Sequence, residues 1–252
     1  MRELERKPPT TPSHPQCAVV GAGRLGLALA GALRAADVPT DGPAGRGADG
    51  SGADIVLLCV PDGEIAAAAR ALRPAPGVLI GHCSGATGLG PLSGYEAFSL
   101  HPLMTVTAQG ASFTGVGCAV DGTTPRALAA AESLARRLGM RPVRIAEDDR
   151  VAYHAAASIA SNFLVALEAA AERLLASAGG DRDLLAPLVR ATVENWARLG
   201  PERALTGPIA RGDELTVARQ REAVAERAPD LLPLFDALAE STRRLARPAV
   251  AA

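Results

Sequence analysis

The sequence predicts a doubly wound parallel α/β layer followed by an all-helical domain. Three observations carry that expectation. Short apolar runs alternate with helical stretches from Cys17 to about Asp148. A glycine-rich turn, "VGAGRLG" (20–26), joins the first apolar run to the first helical one. Beyond Asp148 the strand-like runs stop and only helical periodicity continues.

Strands are expected at "CAVV" (17–20), "DIVLLCV" (54–60), "GVLIGH" (77–82), "AFSLH" (97–101), "GCAVDG" (117–122) and "RPVRI" (141–145). Their apolar residues are continuous rather than alternating, which suits parallel strands covered on both faces. A further strand falls near Val38 to Asp41, where Pro39 interrupts the pattern. Helices are expected over about 24–36, 63–73 and 124–139, then over 148–178, 181–199, 213–227 and 230–246. "AGGD" (178–181) breaks the long helical run, with glycine as stop and Asp181 as the next start. "LGPERALTGPIARGD" (199–213) reads as a loop punctuated by Gly and Pro. The domain organisation is therefore a tail over 1–16, a dinucleotide-binding domain over 17–147 and a helical domain over 148–252 that binds substrate or pairs subunits.

A chain of 252 residues, 48% hydrophobic, is long enough to bury a real core. Aromatics make up only 3%, so Ala and Leu fill that core. The net charge of −1 gives no electrostatic reason to expect nucleic acid or an anionic membrane as partner. The one lysine, Lys7, lies in the charged, Pro-rich start, so a catalytic or Schiff-base lysine is excluded from the body. Cys17, Cys59, Cys83 and Cys118 are scattered, each in or beside an apolar run, and read as buried thiols in a reducing compartment. The start has no apolar signal-peptide core, and no run of about eighteen apolar residues is present. A soluble cytoplasmic protein is expected.

Gly21, Gly23 and Gly26 stand in G-x-G-x-x-G spacing, after a strand and at the opening of a helix. Gly21 allows a tight turn, Gly23 lets backbone N–H groups approach a pyrophosphate, and Gly26 lets helix and strand pack closely. The segment Gly21-Ala22-Gly23-Arg24-Leu25-Gly26 is thus a candidate cofactor loop, with the helix N-terminus as anion site. The acidic residue that would hold the ribose of NAD could be Asp41. Arg46, with Arg24, could instead meet the 2′-phosphate of NADP. NADP is the expected cofactor and NAD the alternative. "VPDGEI" (60–65) ends a strand, so Val60 and Pro61 would border the cofactor, and Asp62 reads as a helix N-cap.

Two later strand ends carry polar clusters: His82, Ser84 and Gly85 in "GHCSGATG", and Ser99, His101 and Pro102 in "SLHPLMTV". Ser84 joins the candidate cofactor contacts, and His101 the candidate catalytic and substrate contacts. The three histidines His82, His101 and His154 are either satisfied structural side chains or crevice residues. No carboxylate or cysteine joins them at ligand spacing, so no metal is expected. "YHAAASIASN" (153–162) then places His154, Ser158, Ser161 and Asn162 within about 100° of arc on one helical face. A solvated stripe is the plain alternative, since Glu168 and Glu172 extend the same face. Neutral donors in the first half favour a ligand site instead.

Taken together, "VVGAGRLG", "SLHPLMTV", "YHAAASIASNFLVALEAA" and "ALTGPIARGD" resemble an uncharacterised bacterial family, DUF2520, over about residues 17–246. Its members join a Rossmann-like domain to a helical domain of unknown function. The family is similar to the wider group of pyrroline-5-carboxylate reductase, ketopantoate reductase and the β-hydroxyacid dehydrogenases, whose helical part is of the 6-phosphogluconate dehydrogenase C-terminal-like kind. The resemblance implies reduction of a C=O or C=N bond with NADPH or NADH, a small-molecule substrate, and a homodimer joined through the helical domain. In β-hydroxyacid dehydrogenases the first long helix after the Rossmann domain carries a Lys-x-x-x-Asn pair. Asn162 matches the asparagine, but Ser158 stands where the lysine would be. His154, one turn earlier, is then the expected proton donor, with His101 as alternative. Asn162 and Ser158 would orient the carbonyl or imine, Ser161 would touch substrate, and Arg211 would either bind a substrate carboxylate or pair with Asp213. A ketopantoate-type reductase and a non-catalytic NADP sensor are the competing readings.

Overall fold

A computed structural model describes residues 15–45 and 47–247 and divides the chain into two compact units, Met1–Ser161 and Asn162–Ala252. Most of the expected tail and Arg46 lie outside the described residues.

The first unit holds a seven-stranded sheet: β1 (Cys17–Val20), β2 (Thr40–Ala44), β3 (Ile55–Leu58), β4 (Leu79–His82), β5 (Ala97–Pro102), β6 (Gly117–Gly122) and β7 (Arg141–Arg144). Their order is β2-β1-β3-β4-β5-β6-β7. Helices α1 (Arg24–Ala35), α2 (Ile65–Ala71) and α3 (Pro125–Arg137) cover the sheet. One apolar layer gathers Leu29, Leu33, Leu57, Phe98, Leu100 and Leu134, and another gathers Val56, Leu58, Ile65, Ile80 and Leu92. Two layers explain the unbroken apolar runs, because every residue of β3 and β4 is buried. Burying one such large side chain contributes roughly 1.5–3 kcal/mol.

The sheet is mostly parallel, as expected, with one exception. β5 and β6 pair antiparallel, and β6 and β7 pair parallel. Parallel neighbours need a crossover, usually a helix, and the segment between β5 and β6 has none. β2 also lies later than expected, starting after Pro39 and containing Pro43. It tolerates proline because it is an edge strand; β7, with Pro142, is the other edge. The helix expected over 63–73 begins as a 3₁₀ turn over Asp62–Glu64 and becomes α2 only at Ile65.

The long helical run after Asp148 is not uniform. A 3₁₀ turn (Glu147–Asp149) leads into α4 (Arg150–Ser158), a π-helical turn over Ile159–Phe163, and α5 (Leu164–Ala176). The wider turn at Ile159–Phe163 breaks the steady 100° step on which the single polar face was counted. By length and composition alone, Glu147–Ala176 could cross a bilayer.

The division between units follows Ser161 rather than falling near 148, and Arg150 gives the physical reason. Its side chain is 1% exposed and bonds to Ser99 of β5 and to Ser84, two residues after β4, which fixes α4 to the sheet.

The second unit continues with α6 (Arg182–Leu199), α7 (Pro201–Ala204), α8 (Glu214–Arg227) and α9 (Leu232–Ala246). Asp181 caps α6 through the N–H of Asp183, and Asp213 caps α8 through that of Thr216. The expected 199–213 loop thus contains a short helix, plus a 3₁₀ turn at Ile209–Arg211. Ion pairs join α8 to α9, from Arg221 to Asp236 at 2.8 Å and from Arg243 to Glu214 at 2.7 Å. Few of this unit's side chains are buried: Val217, Val224, Ala228 and Ala239 among the described residues.

Candidate functional site

The glycine loop lies where β1 turns into α1, and its three glycines differ in the way their spacing predicts. Gly21 has φ +112°, and a Cβ there would sit 2.2 Å from the Cys59 carbonyl oxygen. A Cβ on Gly26 would sit 1.9 Å from the Gly21 carbonyl oxygen. A Cβ on Gly23 would meet nothing within 4 Å. Two glycines therefore serve packing, and the third leaves space. That space opens on a cavity of about 600 Å³ lined by Gly21, Ala22, Gly23, Val60, Pro61 and Ala67, among others. It sits at the carboxyl ends of β1, β2 and β3, where ligands bind in such sheets. Gly23 is the N-cap of α1 with no side-chain cap, so the first-turn N–H groups have no competing side chain from that residue.

Other expected cofactor residues lie differently. Arg24 is exposed at the start of α1, and Leu25 packs half-buried against the core. Asp41 pairs with Ala18 inside β2 and accepts a hydrogen bond from Gln16 Nε2 at 3.0 Å. The end of β2 that meets the cavity is Ala44, whose carbonyl accepts from Gly21 N–H at 2.8 Å. Asp62 caps no helix; its carboxylate accepts from the Ser84 hydroxyl at 2.8 Å. Ser84 is thereby engaged within the protein, and its oxygen also accepts from Thr87 N–H. It does not line the cavity.

A second cluster forms around the ends of β4 and β5. His82 is fully buried and satisfied: Nδ1 accepts from Ser84 N–H at 3.2 Å, so Nε2 donates to the Gly88 carbonyl at 3.0 Å. It is a structural histidine, and burial lowers its pKa below 6.5. His101, on β5, has Nδ1 2.9 Å from the hydroxyl of Tyr153, the rings meeting edge to face at 5.6 Å. His154 stands 6.2 Å from His101, centroid to centroid. Both imidazoles crowd Gly85, where a Cβ would meet His101 Nε2 and His154 Cδ2 at 2.8 Å each. Burial first, then the charges of His154 and Arg150, pushes the His101 pKa down to about 4. Burial raises that of Tyr153 to about 12.

Arg150 organises this cluster. It donates to the Ser84 carbonyl at 3.4 Å and to the Ser99 hydroxyl, while its Nε has no hydrogen-bond partner. Arg150, Tyr153 and His154 share one face of α4 by their spacing. Sequence reasoning missed Arg150 and gave Tyr153 no role, although that spacing was visible. In "EDDRVAY" the arginine reads as an ordinary solvated helix start.

Ser158 ends α4, and Ser161 lies in the π-helical turn, both half-exposed. Asn162 and Arg211 belong to the second unit. The Asp213 carboxylate is occupied by Thr216, through its N–H at 3.1 Å and its hydroxyl at 2.7 Å, so Arg211 adds only a charge to it. Among the described residues no group of three His, Cys, Asp or Glu side chains converges as a metal site. The thiols of Cys17, Cys59, Cys83 and Cys118 are free, and all but Cys59 are buried.

The fold is shared with solved proteins of low sequence identity. A candidate NADP oxidoreductase from Bacteroides fragilis matches at 20% identity over 92% of this chain and 98% of its own, with a TM-score of 0.78. A reductive aminase from Aspergillus terreus, determined with NADPH and ethyl levulinate, matches at 16% identity over 92% and 94%, with a TM-score of 0.65. A pyrroline carboxylate reductase from Plasmodium falciparum with NADP bound matches at 12% identity over 92% and 98%, with a TM-score of 0.56. No curated protein matches the chain. The profile described as "Domain of unknown function (DUF2520)" matches residues 116–242, and the chain belongs to that family.

Proposed function

We propose that the protein is an NADP-dependent oxidoreductase that reduces a C=O or C=N bond of a small, carboxylate-bearing substrate. The observation that carries this is the glycine loop: Gly21 and Gly26 are closed by backbone, while Gly23 opens on the cavity of about 600 Å³. Those surroundings fit a dinucleotide. Gly21, Ala22, Gly23 and the first turn of α1 would hold the pyrophosphate, with Val60 and Pro61 along the nucleotide. NADP is favoured over NAD because Asp41 stands three residues upstream of the β2 end, at roughly 3.3 Å per residue. The acidic side chain on the cavity wall, Glu64, comes from the turn after β3 instead.

When bound, the dinucleotide would supply the hydride. The exposed imidazole of His154 delivers the proton to the substrate's oxygen or nitrogen and regains one from solvent. His101, packed beside His154 over Gly85, hydrogen-bonds the same heteroatom. Ser158 orients the carbonyl or imine, and Ser161 adds a substrate contact. The second unit's exposed Phe163, Val165, Leu184, Leu188 and Trp196 meet a second copy, which makes the working protein a homodimer.

Calorimetric titration with NADPH and NADH tests the first step. The expected result is NADPH binding at least tenfold tighter, since a 2′-phosphate adds charge-assisted contacts. A panel of 2-keto acids (including one of the ketopantoate type), semialdehydes and cyclic imines then tests turnover. Binding without turnover across the panel would favour a non-catalytic sensor, and no binding would sink the whole reading.

A further inference from the structure

We infer that Tyr153 is a positioning residue: its hydroxyl donates to Nδ1 of His101 and holds that imidazole as the neutral Nε2–H tautomer, with the N–H on the ring edge beside His154 as a fixed donor for the substrate's heteroatom. This deepens the reductase reading and rests on it. It separates the two imidazoles by task, so that His154 gives up a proton and His101 keeps its own.

Three observations support it. The Nδ1 to hydroxyl distance is 2.9 Å, an ordinary hydrogen bond, and a phenol is a better donor than acceptor, whereas a bare imidazole nitrogen accepts well. The opposite edge of the ring, Nε2 with Cε1, is the edge that crowds Gly85 beside His154. The charged and titratable groups around His101 disfavour its cation: Arg150, His154 and His82 oppose it, and the Asp62 carboxylate, which favours it, is already engaged by Ser84. A ring that stays neutral has one acceptor nitrogen, and Tyr153 faces it. The phenol keeps its proton far above neutral pH, so the donor is always present.

Gly85 has a part in this arrangement. Any side chain there would collide with both rings, so the two imidazoles pack this closely over the backbone only because the residue is glycine.

The test is nitrogen NMR of the full chain with ¹⁵N-labelled histidine, without cofactor or substrate, the His101 signals being assigned from their loss in His101→Gln. The expected spectrum at neutral pH has Nε2 of His101 protonated and Nδ1 bare. In Tyr153→Phe, which keeps the ring, that preference should collapse to a tautomer mixture. Turnover should then fall about threefold to tenfold, the worth of one hydrogen bond. His101→Gln, which removes the held imidazole, should lower turnover at least as much as Tyr153→Phe but leave the shape of the pH profile of kcat/KM unchanged. A proton on Nδ1 in the wild type, or an unaltered tautomer in Tyr153→Phe, would overturn the inference. So would loss of a titrating limb in His101→Gln. The spectrum needs no ligand, so it can fail while NADPH still binds and turns over, or hold where no substrate is reduced.

Discussion

The two units satisfy their apolar residues in opposite ways. In the first, β3 and β4 are buried along their whole length between two apolar layers. In the second, Phe163 is 57% exposed, Leu188 63% and Trp196 57%, and charged pairs join α8 to α9 beside only a few buried side chains, Val217, Val224 and Ala239. Surface ion pairs contribute little each, so those pairs cannot stand in for a core. The contrast teaches that the first unit buries its apolar residues within itself, whereas the second leaves several large ones exposed.

The sharpest way to break the first unit is at the glycine loop. Gly26→Ala drives a Cβ against the Gly21 carbonyl at 1.9 Å, with backbone on both sides. We expect a loss of about 3–4 kcal/mol, a drop in Tm of roughly 6–12 °C, and no NADPH binding. Thermal melts with and without NADPH check this, and a variant that melts and binds like wild type would refute the packing role.

The second unit breaks at its surface. Phe163→Glu or Leu188→Glu should weaken self-association about a hundredfold, because symmetry counts each change twice. Sedimentation should show a wild-type dimer and a monomeric variant, and the wild-type Tm should rise with protein concentration. A wild-type chain that stays monomeric at every concentration would remove the dimer from the proposal.

A pH series sharpens the comparison, because the depressed histidines, His82 and His101, both lie in the first unit. The unfolded chain takes up a proton below about 6.5, whereas folded His101 resists until about 4. More protons are bound in the unfolded state across that window, so stability rises with pH through it. The contribution of His101 is complete above about 6.5 and is lost as pH falls toward 4. Relative to neutral pH it should lower stability by about 2 kcal/mol at pH 5, with His82 adding in the same direction. Urea titrations at several pH values check this, and His101→Gln should flatten the slope.

The smallest effect is expected at the second unit's surface pairs. Arg221→Gln removes the 2.8 Å pair with Asp236, both partners half-exposed, and should move Tm by about one degree or less. A larger drop, measured by calorimetry, would show that this unit relies on its ion pairs after all.

Much of this was legible from particular residues. The apolar runs marked six strands, Gly21, Gly23 and Gly26 marked the loop, and Asp181 marked a helix start, because each is a local constraint on a short stretch of chain. What was not legible depended on partners distant in sequence. Asp62 looks like a cap until Ser84, on the next strand's end, takes its carboxylate. His82 resembles a crevice residue until Ser84 and Gly88 are seen to satisfy both its nitrogens. The antiparallel β5–β6 pair was half legible, since no helix was expected between those strands.

By itself, then, the sequence determined the alternation of strand and helix, the glycine spacing and the restriction of lysine to position 7. These follow from local periodicity, backbone freedom and composition. Only the tertiary structure decided that Asp41 sits away from the cavity and that Arg150 is buried. It alone set Tyr153 against His101 and brought His101 and His154 together over Gly85. Those are contacts between β4, β5 and α4 across some fifty or more residues of chain, and no local pattern specifies which polar groups such a closure will pair.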